Sequence, residues 1–250
     1  MLDGLISQSS FAEHALVTRR SLVQIQLPLF SMKICGIDEA GRGPVIGPLV
    51  IAGICFDEKD AEELVRLNVR DSKLIPPKKR EELFEKLIKI AKSYKIISIQ
   101  ADEIDNKNTA GINLNHLEAM KAAEIINELQ PNVIYVDSPT SPKASKFGEM
   151  IREHLKNKDV DIHAEHKADL NHRQVGAASI LAKVTRDAEI EKLKKEVKLD
   201  FGSGYVADPI TQKFVEEHWE NKLSKYIRHS WGNIKKLKNS KAQQKLNFED

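Results

Sequence analysis

A chain of 250 residues, 41% hydrophobic and 30% charged, has room for one sizeable core under a heavily charged surface, and no apolar run approaches the ~18 residues of a membrane span. Its formal net charge of +2 excludes a bulk electrostatic case for binding a polyanion, so any such case rests on where the charges sit. Cys35 and Cys55 lie singly in β-branched runs, outside any CxxC pair, and read as small buried hydrophobes of a reducing compartment rather than a disulfide framework.

Residues 1–31 are rich in Ser, Gln and Leu and lack the basic-then-apolar order of a secretory signal. They read as a dispensable leader, with Met32 opening the folded part; an organellar transit peptide is the alternative, since only Asp3 and Glu13 are acidic. Lys33 to Ile37 predicts a short strand ending on Asp38, followed by a Gly/Pro-rich turn from Gly41 to Pro48. Leu49 to Phe56 is a continuous apolar run of strand length, so close behind the first that the two suggest an antiparallel hairpin. Lys59–Leu67 reads as helix, and Asp71-Ser72-Lys73 as a loop ahead of Pro76-Pro77.

Lys78 to Lys92 has a helical period, with Leu83, Leu87, Ile90 and Ala91 on one face. Tyr94 to Gln100 is a third strand, and Leu114 to Leu129 a long helix ended before Pro131. Val133 to Val136 is a fourth strand that ends on Asp137 and is stopped by Ser138-Pro139. Lys143 to Leu155 predicts a helix, Val160 to Ala164 a fifth strand, and His172 to Val197 one or two helices, the first apolar over Val175–Val184. Beyond residue 200 come helical pieces at Pro209–Trp219 and Lys222–Tyr226, then a Lys-rich tail. The order predicts an α/β fold, a mixed five-stranded sheet with helices on its faces.

Two predicted strands end on acids: Asp38, with Glu39 beside it, and Asp137. Ligands of open α/β sheets gather outside strand ends, and these acids converge if the first and fourth strands are parallel neighbours. Asp169 follows the fifth strand. Two carboxylates ~5 Å apart repel by roughly 3 kcal/mol at an effective dielectric near 20, so such a cluster takes up protons or a divalent cation. Hard oxygen donors select Mg²⁺ or Mn²⁺, and the chemistry they serve is two-metal phosphodiester hydrolysis. The plainer reading of each acid is a solvated charge at a strand end. Glu39 has its own obstacle: strand neighbours face opposite ways, so it joins Asp38 only if the chain turns there, which Ala40-Gly41 permits.

Gly41-Arg42-Gly43-Pro44 matches neither the dinucleotide nor the P-loop pattern. Its glycines suit close approach of backbone to a ligand, with Arg42 supplying a phosphate or sugar contact; a plain connecting turn is the alternative. Asp187 reads as a helix residue supporting the site. Trp219 and Trp231 read as packing, and the Lys235–Lys245 run as either a phosphate contact or a solvated tail.

Five segments, in order, make the chain resemble the type 2 ribonuclease H family, ribonuclease HII, in its archaeal form. They are Gly36-Ile37-Asp38-Glu39-Ala40-Gly41-Arg42-Gly43-Pro44, Asp71-Ser72-Lys73, Tyr135-Val136-Asp137, Ala164-Glu165-His166-Lys167-Ala168-Asp169 leading to Ala177–Asp187, and Phe201-Gly202-Ser203-Gly204-Tyr205. The resemblance covers Met32 to about residue 232. It implies a ribonuclease H-like catalytic domain over 32–198, a C-terminal helical extension over 199–236 and a flexible basic tail over 237–250. It implies two Mg²⁺ or Mn²⁺ ions held by Asp38, Glu39, Asp137 and Asp169. The implied reaction is endonucleolytic cleavage of the RNA strand of RNA–DNA hybrids, and cutting 5′ of ribonucleotides embedded in duplex DNA, leaving 3′-hydroxyl and 5′-phosphate ends. Gly41, Arg42 and Gly43 are implied to read the ribose 2′-hydroxyl, Tyr205 to pack on the sugar at the RNA–DNA junction, and Lys73 to bind substrate. Residues 170–176 differ from the apolar linker usual after the fourth acid. Gln243–Phe248 resembles a sliding-clamp peptide. A cytoplasmic monomer is expected. The competing readings are a catalytically silent hybrid-binding module on the same fold, against which all four carboxylates stand, and a DNA endonuclease, against which the Gly-Arg-Gly and Tyr205 pairing stands.

Overall fold

The computed structural model describes residues 31–69, 74–139 and 144–246. Lys73 and Phe248 lie outside these residues, as do the side chains of the rest of the 243–248 segment. Five strands form one sheet: β1 (Lys33–Ala40), β2 (Leu49–Asp57), β3 (Ser93–Ile99), β4 (Val133–Asp137) and β5 (Asp161–Glu165). Their order is β3-β2-β1-β4-β5. β2 is antiparallel to β1 and β3, while β4 runs parallel to β1 and β5 parallel to β4. The expected hairpin and the expected parallel pairing of first and fourth strands are both present.

Nine helices accompany the sheet among the described residues: α1 (Ala61–Leu67), α2 (Pro77–Ile90), α3 (Ala101–Thr109), α4 (Leu114–Leu129), α5 (Ala144–Glu153), α6 (Ala168–Asn171), α7 (Arg173–Val197), α8 (Pro209–His218) and α9 (Gly232–Leu246). The period-two alternation of the strands sorts their side chains into two cores. Cys35, Ile37, Leu49 and Ile51 pack with α4 and α5 on one face. Ala40, Val50, Ala52, Ile54 and Phe56 pack with α2 and α7 on the other. β2 is buried along its whole length, as its unbroken apolar run requires.

Local signals set the element ends. Asn113 caps α4 by accepting from the His116 N–H at 3.1 Å, and the helix stops at Gln130, in the left-handed region ahead of Pro131. Asp208 caps α8 by accepting from the Ile210 N–H at 2.9 Å, with Pro209 at the first helical position. α7 begins directly on the sheet. A Cβ on Gly36 would lie 2.0 Å from the Gln174 carbonyl carbon, so only glycine lets helix and strand meet there.

A third core joins Val45 and Ile46, from the turn after β1, to Ile190 and Leu193 of α7, Phe214 and Val215 of α8, and Ile227 and Ile234. The segment 172–197, left open as one or two helices, is one helix of 25 residues starting at Arg173. The boundary expected at residue 236 falls inside α9, whose backbone stays helical to Leu246. α3 and α6 were not anticipated: α3 is polar and buries only Ala101 and Ile104, and α6 spans one turn. Both cysteines are free and buried. Among the described residues no helix is long and apolar enough to cross a membrane.

Candidate active site

The parallel register of β1 and β4 runs to Ile37 opposite Val136, so the next residues, Asp38 and Asp137, leave the sheet side by side. Both face the α7 layer. Asp38 bonds to the Ser179 side chain on α7, and its carboxylate accepts from the Glu39 N–H at 2.7 Å. Asp137 accepts from the Ala168 N–H at 2.9 Å, at the start of α6.

That bond explains how Asp169 reaches the site. β5 ends on Glu165, opposite Asp137. The chain turns at Lys167, in the left-handed region, and α6 starts against the Asp137 carboxylate. Asp169 is thereby buried in the first turn of α6. The unusual linker folds through His172, whose Nε2–H donates to the Glu165 carboxylate at 2.9 Å and whose ring stacks 3.9 Å from the Tyr135 ring.

Glu39 lies on the opposite face, as alternation predicts. Its nearest charged neighbours include Glu118 of α4 and Arg42. Because β1 ends at Ala40, Glu39 still reaches the cleft at the end of the sheet. Asp38, Glu39, Asp137, Asp169, Gly41, Arg42, Gly43 and Tyr205 all line this one cleft of about 380 Å³. Of the expected site residues only Lys73 lies outside the described chain.

The carboxylates strain against ionisation together. Burial pushes Asp38 up to about 7, and the negative charge of Asp137 adds to it, while the Ser179 bond and Lys183 oppose. Burial also raises Glu39 well above the usual carboxylate range, and Asp38, Glu118 and Asp137 raise it further. Asp137 is raised by burial and by Asp169, against the Ala168 N–H. Such a donor set, all hard oxygens and short of positive charge, fits a divalent cation of the Mg²⁺ or Mn²⁺ class. Among the described residues no three acidic, His or Cys side chains close on a common point, so this fit rests on donor chemistry and on mutual repulsion.

The Arg42 guanidinium turns to α4, where it pairs with Glu118 and donates to Asn115 Oδ1 at 2.6 Å. Glu118 is buried and raised to about 7 despite that partner. These bonds draw the Arg42 side chain toward α4, and with the side chain 32% exposed the residue still lines the cleft. Gly41 has φ +87°, and a Cβ there would meet Arg186 Nε at 2.3 Å. Tyr205 stands at the lip, 46% exposed, with a ring carbon 3.3 Å from where a Gly43 Cβ would be.

The opposite wall comes from α7. Ser179, Lys183 and Arg186 fall at helical spacing on one face, a pattern readable from the sequence that went unused. Lys183 donates to Ser179 at 2.9 Å. Arg186 is buried, and its Nε and Nη2 have no hydrogen-bond partner within the described chain. Asp187 pairs with Arg80 at 3.0 Å and also lines the cleft. Glu118 also escaped notice, although an acid within the apolar run Leu117–Ala123 is a signal in itself.

The chain is similar to known proteins of one family. The family model described as ribonuclease HII matches residues 35–234. A ribonuclease HII of Pyrococcus furiosus is 46% identical over 213 residues, covering 84% of this chain and 92% of the relative. The crystal structure of ribonuclease H2 from Pyrococcus horikoshii superposes with a TM-score of 0.75 at 42% identity, covering 84% of this chain and 98% of that one. A structure of a PCNA:RNase HII complex from Archaeoglobus fulgidus gives 0.70 at 38% identity, covering 80% and 95%.

Proposed function

The chain belongs to the ribonuclease HII family and is a metal-dependent endonuclease of the ribonuclease H class, and we propose that it cuts the RNA strand of RNA–DNA hybrids and duplex DNA on the 5′ side of an embedded ribonucleotide, leaving 3′-hydroxyl and 5′-phosphate ends. One observation carries this reading. Carboxylates from β1, β4 and α6 line the same cleft as the Gly41–Gly43 backbone and Tyr205, so a group for cutting a phosphodiester adjoins a group for reading a sugar.

In this reading Asp38, Glu39, Asp137 and Asp169 hold two Mg²⁺ or Mn²⁺ ions with substrate. When bound, the ions supply an activated water and stabilise the leaving oxygen. The backbone N–H groups of the Gly41-Arg42-Gly43 loop reach the 2′-oxygen, the atom that separates RNA from DNA. Tyr205 packs on the sugar at the junction. The unpartnered donors of Arg186 suit a phosphate oxygen. Lys73 is assigned to substrate from its sequence position alone. The two free, buried cysteines suit a reducing compartment, and we propose a cytoplasmic monomer.

The test is a duplex DNA with one ribonucleotide, set against an all-DNA control, each with Mg²⁺ or Mn²⁺. The expected result is a single cut 5′ of the ribonucleotide and none in the control. Equal cutting of both, or of neither, sinks the reading. We also assign Gln243–Phe248 to a sliding clamp of the kind seen with the Archaeoglobus relative. Deleting residues 243–250 should abolish co-elution with such a clamp while leaving cleavage of naked substrate unchanged; persistent co-elution counts against the assignment.

A further inference from the structure

The Gly41–Gly43 loop is gripped from behind by a segment nearly two hundred residues away. Ile227 bridges to Ile46, the Arg228 N–H donates to the Val45 carbonyl at 2.8 Å, and the Gly47 N–H donates to the Tyr226 carbonyl at 3.1 Å. The Arg228 side chain is fully buried. Its Nη2 donates to the Gly41 carbonyl at 2.7 Å, its Nη1 to the Arg42 carbonyl at 3.2 Å, and its Nε to the Gly47 carbonyl at 3.0 Å. The Trp231 indole N–H donates to the Gly43 carbonyl at 3.4 Å, and its ring carries the Arg228 guanidinium 4.9 Å from the centroid. Asp105 of α3 fixes the segment in turn, accepting from the N–H groups of His229 and Ser230 at 2.7 and 2.9 Å.

A buried guanidinium is a costly way to join two pieces of a fold, since a well-packed apolar side chain serves stability as well or better. What arginine adds is a rigid fork of donors that fixes the direction of several carbonyls at once. That direction matters because a peptide unit is planar and trans, so each carbonyl and the following N–H point to opposite sides. With the carbonyls of Gly41 and Arg42 turned to Arg228, the N–H groups of Arg42 and Gly43 are turned away from it, to the side where Tyr205 stands over Gly43. The carbonyl held by Trp231 is followed by Pro44, which has no N–H. The grip therefore presents two donors.

We propose that Arg228 is a positioning residue that sets the preference for a ribonucleotide, by aiming the Arg42 and Gly43 amides at the 2′-oxygen of the bound sugar. The proposal rests on the substrate reading above. It assigns specificity to a residue that touches no substrate and lies in the C-terminal part of the chain.

The test measures binding of the full chain, in an Asp38→Asn background that cannot cut, to a duplex with one ribonucleotide and to its all-DNA counterpart. Arg228→Lys keeps the charge but cannot span three carbonyls. It should lower the ribonucleotide preference about tenfold, the loss of one to two kcal/mol of hydrogen bonding, while all-DNA binding stays unchanged. Val215→Ala, a cavity in the same core that touches nothing in the loop, serves as the control for lost stability and should keep the preference. If Arg228→Lys does not fold, Arg228→Gln decides, because its single amide cannot span the carbonyls of Gly41, Arg42 and Gly47 together; a loss of preference is then expected as well. A preference retained by the folded variants, or lost equally in Val215→Ala, overturns the proposal. Absence of any preference in the Asp38→Asn parent overturns the substrate reading instead, and this inference with it.

Discussion

Asp38 and Glu39 are neighbours in the chain yet rest on different layers of the molecule. Asp38 is buried against Ser179 of α7, and Glu39 lies toward Glu118 and Arg42 on the α4 side. The charge on Asp38 is costly to keep. Its carboxyl titrates near 7 in the fold against 3.8 ordinarily, so the two states differ in bound protons between those values. Well below pH 3.8 both states are protonated and Asp38 costs nothing. As pH rises to 7 the unfolded chain ionises first, so stability of the metal-free protein falls, by up to about 1.4 kcal/mol per pH unit. Asp38→Asn removes this loss. In chelator, its gain in melting temperature at pH 8 should be more than twice that at pH 5; equal gains would show that the carboxyl is not raised. The same variant should lose cleavage and keep substrate binding. Loss of both would give Asp38 a structural role.

The elements of the sheet were legible because their residues are locally consistent. The apolar run of β2 and the alternation around it need no distant partner to be read. Gly36 was legible only as part of a motif, since its reason is the α7 backbone laid across it. Gly36→Ala forces that backbone and β1 apart. It should destabilise by about 3 kcal/mol or more, read as a shift in the denaturation midpoint, and should depress activity by moving Asp38. A variant of native stability would mean that α7 does not seat on β1 as described. α3 and α6 hid from the sequence for opposite reasons. α3 is held by the Asp105 contacts with residues 229 and 230, not by an apolar face. α6 is held by Asp137, and so by the fourth strand. The partner of Arg42 was not legible beside its glycine loop, because Glu118 lies 76 residues on.

The whole molecule divides less cleanly than its sequence suggests. Ser31–Asp250 gathers into one compact unit. The family match begins at residue 35, and we propose that residues 1–31 are dispensable for cleavage. Deletion of residues 1–31 should leave cleavage of a single-ribonucleotide duplex within about twofold of the full chain, inside the ±0.5 kcal/mol expected away from the fold. A folded but inactive product would refute that. The C-terminal part is different in kind, because its Arg228 and Trp231 complete a loop that begins at residue 41.

The bond from Arg228 to Gly41 joins residues 187 positions apart. At about 5–20 residues per second, a ribosome needs roughly ten to forty seconds to make that span. Asp38 and Glu39 are made at the start of that interval, Asp137 and Asp169 follow within it, and the loop beside them has no grip until it ends. On the proposal that Arg228 aims the loop, discrimination waits until the final stretch of the chain emerges, after every acid proposed to hold metal has been made.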